Sequence, residues 1–141
     1  MSATFSPTTT PLIPDRRWGA SVELAMTPGV ITVAEDATLQ HVRGALSGHG
    51  VDALLVVGRV NGMPLGWITA TGLLAHLDDD PWSSRAAGLV CERPNVIHPA
   101  EPLRTAATML ATPGVTHLLV AHGDRSFAGC VTARDLLRAA V

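Results

Sequence analysis

The segments Gly50-Val51-Asp52-Ala53-Leu54-Leu55-Val56-Val57 and Gly114-Val115-Thr116-His117-Leu118-Leu119-Val120-Ala121 decide the fold. Each is a glycine followed by a nearly continuous apolar run, the pattern of a strand covered on both faces. They also match one another at an offset of 64, with Leu39 upstream falling on Leu103. One deletion later, at offset 63, Gly66, Thr69, Ala70, Leu73 and Leu74 fall on Gly129, Thr132, Ala133, Leu136 and Leu137. Matches in the same order with one gap mean that the chain is duplicated, and the duplication governs the fold.

Working outward, each copy has the same parts. An extended piece (Val30–Val33; Asn95–His98) precedes a helix. Its apolar stripe is Leu39, Val42, Ala45 and Leu46 in the first copy and Leu103, Ala106, Ala107 and Leu110 in the second. Asp36 or Thr38 suits the first cap, and Pro102 suits the opening of the second helix. Two strands follow, Val51–Val57 with Leu65–Thr69 and Val115–Ala121 with Phe127–Thr132. Their turns are Asn61-Gly62 and His122-Gly123-Asp124. Closing helices are expected over Thr71–Leu77 and Arg134–Ala140. The expected class is α/β (α+β): two tandem β-α-β-β-α units packed face to face, since one unit of about 55–60 residues would struggle to bury both faces alone. Residues 1–17, rich in Thr, Pro and Ser, are expected to be a flexible leader. Residues 18–80 form the first unit and 81–141 the second, joined by an exposed Asp78-Asp79-Asp80-Pro81 link.

Composition narrows the function. The 141 residues are 47% apolar and 16% charged, which excludes a disordered chain. The longest apolar runs are five or six residues, too short to cross a membrane, and no secretory signal is visible. A cytoplasmic protein is the expectation. Net charge is −2, and the ten basic residues, all arginine, are scattered, which speaks against nucleic acid. Cys91 and Cys130 stand in apolar surroundings without close spacing, so buried, reduced thiols are expected.

The duplicated unit, its Gly-Val-x-x-Leu-Leu-Val strands and the ending Gly129-Cys130-Val131-Thr132-Ala133-Arg134-Asp135 resemble a tandem pair of CBS domains, a Bateman module. Met26-Thr27-Pro28 followed by Val30-Ile31-Thr32-Val33 resembles the opening of such a repeat. The resemblance covers about residues 20–141. It implies two repeats about a pseudo-twofold axis with two clefts between them. It further implies a regulatory ligand of the AMP, ADP, ATP or S-adenosylmethionine kind, pairing into a homodimer, and an unknown regulated protein as partner.

By the same resemblance, Thr132 faces phosphate and Asp135 holds ribose hydroxyls. The chemistry agrees: Thr132 sits where strand becomes helix, a natural anion site, and a carboxylate accepts from a diol. Arg134 offers a counter-charge. Thr-x-x-Asp before an apolar helix is equally close to a capping box, and the two roles are compatible. The rest of the site would come from Leu89 and Val90, Asn95 and Val96, and Val115-Thr116-His117. His117 either faces a phosphate or is a core or interface residue. The first copy has Gly72 where Asp135 would fall, so its cleft lacks the sugar anchor.

Six histidines form no metal motif, and no nucleophile has an evident base, so neither a metal site nor catalysis is expected. Trp18, Trp67 and Trp82 suit a core or subunit interface. The alternative to nucleotide sensing is a ligand-free dimerisation or protein-interaction module, which the Gly72 departure favours.

Overall fold

In a computed structural model, residues 18–123 and 126–139 are described. The proposed leader 1–17, Asp124 of the second turn and Ala140 at the closing helix lie outside them.

The elements, in order, are β1 (Thr27–Pro28), β2 (Thr32–Ala34), α1 (Leu39–His49), β3 (Ala53–Val57) and β4 (Pro64–Thr69). They continue as β5 (Val96–Ile97), α2 (Leu103–Leu110), β6 (Leu118–Ala121), β7 (Phe127–Val131) and α3 (Ala133–Ala139). Single 3-10 turns span Val22–Leu24, Gly72–His76 and Ala86–Leu89. One sheet has the order β2-β3-β4 and the other β1-β7-β6-β5. In both, the copy's first strand runs parallel to its second, and the second antiparallel to its third. The α+β duplication expected from sequence is the architecture found.

Strand alternation shows why the apolar runs are unbroken. Leu54 and Val56 face one core with Val33, Leu39, Val42, Leu46 and Ile68. Leu118 and Val120 face a second with Ile97, Leu103, Ala106, Val131 and Leu136. The intervening residues, Leu55 on β3 and Leu119 and Ala121 on β6, point the other way and meet Trp67 in a third cluster. That cluster is the seam between the copies. A strand with one face in a core and the other in the seam has no place for a polar residue.

Each copy also lends its lead-in to the other. β1 pairs antiparallel with β7, Thr27 opposite Cys130, so residues before the first copy join the second copy's sheet. Val22, with Trp18, Ala20 and Met26, packs into the second core. Reciprocally, Glu92 bridges to Trp67 on β4, and Ala86 and Leu89 are buried in the first core. Leu89 is thus a core residue of the first copy.

Some boundaries differ from expectation for identifiable reasons. Thr38, not Asp36, caps α1: its hydroxyl accepts from the His41 amide at 3.1 Å. Gly50, at φ 62°, closes the helix in the left-handed conformation. β6 begins at Leu118 rather than Val115, because the Thr116 and His117 amides donate to a side chain instead of a ladder. The first closing element is a 3-10 turn rather than a helix over Thr71–Leu77. It opens on Gly72, a weak helix former. Its counterpart α3 is α-helical from Ala133.

The lead-in exchange leaves no room at Gly129. A Cβ there would lie 2.3 Å from the Thr27 carbonyl oxygen and 3.1 Å from Met26 Sδ. We predict that Gly129→Ala costs about 1–3 kcal/mol by forcing β1 away. Gly88→Ala, with nothing within 4 Å of its added methyl, should stay within about 0.5 kcal/mol of the parent. Urea midpoints measure both, and equal midpoints would refute the packing argument.

Candidate functional site at the seam

The seam opens into a cavity of about 900 Å³. The second copy lines it with Val115, Thr116, His117, Cys130, Thr132, Arg134, Asp135 and Arg138. The first supplies the lead-in Thr27-Pro28-Gly29-Val30-Ile31, the α1–β3 link Gly50 to Ala53, and Trp67. Of the residues singled out from sequence, Val115, Thr116, His117, Thr132, Arg134 and Asp135 are therefore brought together. Val90, Asn95 and Val96 do not line this cavity. The exchange of lead-ins is the reason: Val90 lies over Gly66 of the first copy, where an added Cβ would meet its Cγ1 at 2.4 Å. Asn95 and Val96 continue into the edge of the second sheet, with the Leu119 amide donating to the Asn95 carbonyl at 2.8 Å. The lead-in that reaches the second cleft is the first copy's own, Thr27–Ile31.

Asp135 is buried, 5% exposed, at the start of α3. Its Oδ2 accepts from the Thr132 amide at 2.9 Å and from the Thr132 hydroxyl at 3.2 Å. Its Oδ1 accepts from Arg138 Nη2 at 2.7 Å and from the Thr27 hydroxyl at 3.2 Å. A carboxylate has about four lone-pair sites, and four donors meet them. The capping reading of Thr132 and Asp135 is thus realised, with Thr27 tying the other copy to the same group. Arg134 is exposed at the cavity wall.

The first copy's equivalent place has no room for a side chain at residue 72. Thr69 Oγ1 accepts from the Gly72 amide at 2.9 Å and lies 3.4 Å from Cys91 Sγ. A Cβ on Gly72 would sit 2.8 Å from that sulfur, so no aspartate fits there while Cys91 holds its position. Cys91 is exposed overall, contrary to the expected buried thiol, because its segment runs along the outer edge of β4. Cys130 is partly buried on the cavity wall, and burial pushes its thiol up to about 12. It stays protonated and unreactive at neutral pH.

Glu92 escaped the sequence reading. Its side chain is 6% exposed, and its Oε2 accepts from the Thr116 and His117 amides, each at 2.9 Å. Its Oε1 accepts from the Thr116 hydroxyl. Its backbone carbonyl is tied to the first copy, accepting from the Trp67 amide at 2.9 Å. One residue therefore fixes the His117 wall of the second cleft to β4 of the first. Only its position between two apolar segments hinted at burial. Trp67 is 2% exposed, with its ring centroid 5.4 Å from that of His117.

The CBS domain family model matches twice, over residues 20–79 and 87–141. The chain belongs to the CBS-domain family. No curated protein matches it. Among solved structures, the chain resembles the CBS domain of a bacterial CNNM/CorC family Mg2+ transporter in complex with ATP: 18% identity, TM-score 0.77, covering 89% of each chain. It resembles the CBS domain of a CBS domain-containing membrane protein from Sphaerobacter thermophilus at 23% identity and TM-score 0.76, covering 89% of this chain and 91% of that one. A CBS domain protein from Pyrobaculum aerophilum complexed with AMP shares 18% identity at TM-score 0.69, covering 82% and 88%. Among the described residues of this CBS pair, no helix is long and apolar enough to cross a membrane.

Burial pushes the His117 imidazole below its ordinary 6.5, with Glu92, Asp52 and Asp135 pulling weakly the other way. A histidine that protonates less readily when folded gives the unfolded chain the extra proton in acid. Its contribution is complete above about pH 6.5 and is lost as pH falls through the lower folded value. His117→Asn should therefore narrow its stability deficit between pH 7.5 and pH 5.5, read from urea midpoints. A constant deficit would mean that His117 titrates normally.

Proposed function

We propose that this CBS pair is a non-enzymatic regulatory module that senses an adenosine-containing nucleotide in the cleft of its second repeat. The cavity carries the reading. It is the meeting place of a helix-opening Thr132, two arginines and a buried carboxylate, walled by Ile31, Val115, Trp67 and His117, which suit an aromatic base. Solved relatives of this fold, one complexed with AMP and one with ATP, lend support.

Because the Asp135 carboxylate is already occupied, binding is an exchange. Sugar hydroxyls take the place of the Arg138 guanidinium on Oδ1, and the released Arg138, with Arg134, turns to phosphate. Thr132 keeps its cap. The ligand then changes a contact already present, which gives it a differential hold on two arrangements of the pair.

Thermal denaturation with AMP, ADP, ATP and S-adenosylmethionine tests this. A ligand at 100 times its dissociation constant stabilises by about 2.7 kcal/mol, several degrees for a chain of this size. Arg134→Ala should weaken a phosphorylated ligand by about one order of magnitude while leaving the unliganded midpoint in place. No shift with any of the four would end the sensing proposal.

A second role is favoured by one observation. Leu74 and Leu137 occupy matching positions of the two repeats and are 62% and 67% exposed. Two such leucines on the closing elements suit a second copy of the chain, making a homodimer. Replacing both with glutamate should convert a dimer to a monomer in sedimentation. An unchanged sedimentation coefficient would refute this surface.

A further inference from the structure

Thr116 is the link in a chain of polar groups running from the seam to the cavity. Its Oγ1 contacts Glu92 Oε1 on one side and His117 Nδ1, at 2.8 Å, on the other. The two backbone amides on Oε2 show the Glu92 carboxylate acting as an acceptor. A threonine hydroxyl has a single hydrogen. With that hydrogen directed to Glu92, the oxygen can only accept from His117, so the proton on the ring sits on Nδ1. In the neutral ring, the form that burial favours, Nε2 is then a bare lone pair. It has no partner among the described residues, and His117 is part of the cavity wall.

We infer that Glu92, acting through Thr116, fixes His117 in the Nδ1–H tautomer and makes Nε2 an acceptor that selects an N–H or O–H donor on the bound ligand. The ligand half of this inference rests on the nucleotide reading above. Glu92 is a positioning residue and His117 the residue that touches the ligand. Burial disfavours the protonated ring, which suits an acceptor role. On a nucleotide the donor is either the exocyclic amine of the base or a ribose hydroxyl, and these can be separated experimentally.

The same geometry defines what Glu92→Gln would do. The new amide oxygen must face the Thr116 and His117 N–H groups, which turns the NH2 toward Thr116 Oγ1. The hydroxyl then accepts from that NH2 and donates to Nδ1, and the ring proton moves to Nε2. An acceptor becomes a donor with no change in shape.

Nitrogen-15 spectra of the His117 ring in the unliganded protein read the tautomer directly. The wild type should show Nδ1–H with a bare Nε2, and Glu92→Gln the reverse. Thr116→Val, which removes the relay hydroxyl but keeps the shape, should abolish the bias should the glutamine variant fail to fold. Calorimetric titration with AMP, inosine monophosphate and 2′-deoxy-AMP supplies the second readout. The first analogue lacks the amine and the second a ribose hydroxyl. One of them should bind the wild type about three- to tenfold more weakly than AMP, the loss expected for one neutral hydrogen bond. The gap made at His117 should close in Glu92→Gln, whereas a loss at the Asp135 sugar contact should persist there. An Nε2–H ring in the wild type overturns the relay, and equal binding of all three nucleotides overturns the selection. If none of the three binds, the sensing reading falls and the ligand half with it, while the ring spectra still decide the relay.

Discussion

The exchange of lead-in segments is the constraint on which the rest depends. A lone β-α-β-β-α unit leaves a sheet edge unpaired and one sheet face uncovered. Here β1 completes the second copy's edge at β7, and Glu92 bridges to the first copy's edge at β4. The cores are likewise shared, with Val22 buried in the second and Ala86 and Leu89 in the first. Neither copy can swing away without uncovering the other's core. The cavity follows from the crossing, because the first lead-in must pass over the second copy's strand-to-helix turn to reach its own sheet.

Duplication makes two such places, and one pair of substitutions separates them. Thr27 and Cys91 stand at equivalent positions, as do Asp135 and Gly72. In the second cleft the pair is a hydroxyl donating to a carboxylate. In the first, the sulfur of Cys91 approaches to where a side chain on residue 72 would have to begin. The glycine and the cysteine therefore belong together. One site keeps polar groups around a hollow, and the other sets a sulfur where its carboxylate would begin.

The repeat and its strands were legible because periodicity and burial are local properties: the alternation of Leu54, Leu55 and Val56 between core and seam appears as an unbroken apolar run. The pairing of Thr132 with Asp135 was legible for the same reason, being three residues apart. The partners that cross the seam were not. Nothing near Glu92 in the chain announces that its carboxylate will collect the amides of Thr116 and His117, and that capture is also what delays the start of β6. Val90, Asn95 and Val96 precede the second copy in the chain, yet the segment lining this cavity is Thr27–Ile31, which precedes the first. A crossing of that kind leaves no mark in the local sequence.

A site whose carboxylate is fully hydrogen-bonded before any ligand arrives behaves differently from an empty hollow. Filling a hollow lowers the free energy of whichever arrangement contains it, and shifts nothing if both arrangements do. Displacing Arg138 from Asp135 is different, because Thr27, from the other copy, shares the same oxygen. In the proposed exchange, a ligand hydroxyl replacing Arg138 at Oδ1 would sit beside the bond that joins β1 to α3 and so bear on the inter-copy contact. On the opposite wall, Glu92 gives His117 the same kind of attachment to β4. Both walls of the cavity are thus anchored in the other repeat, and a molecule bound between them, as proposed, would act on the packing of the pair.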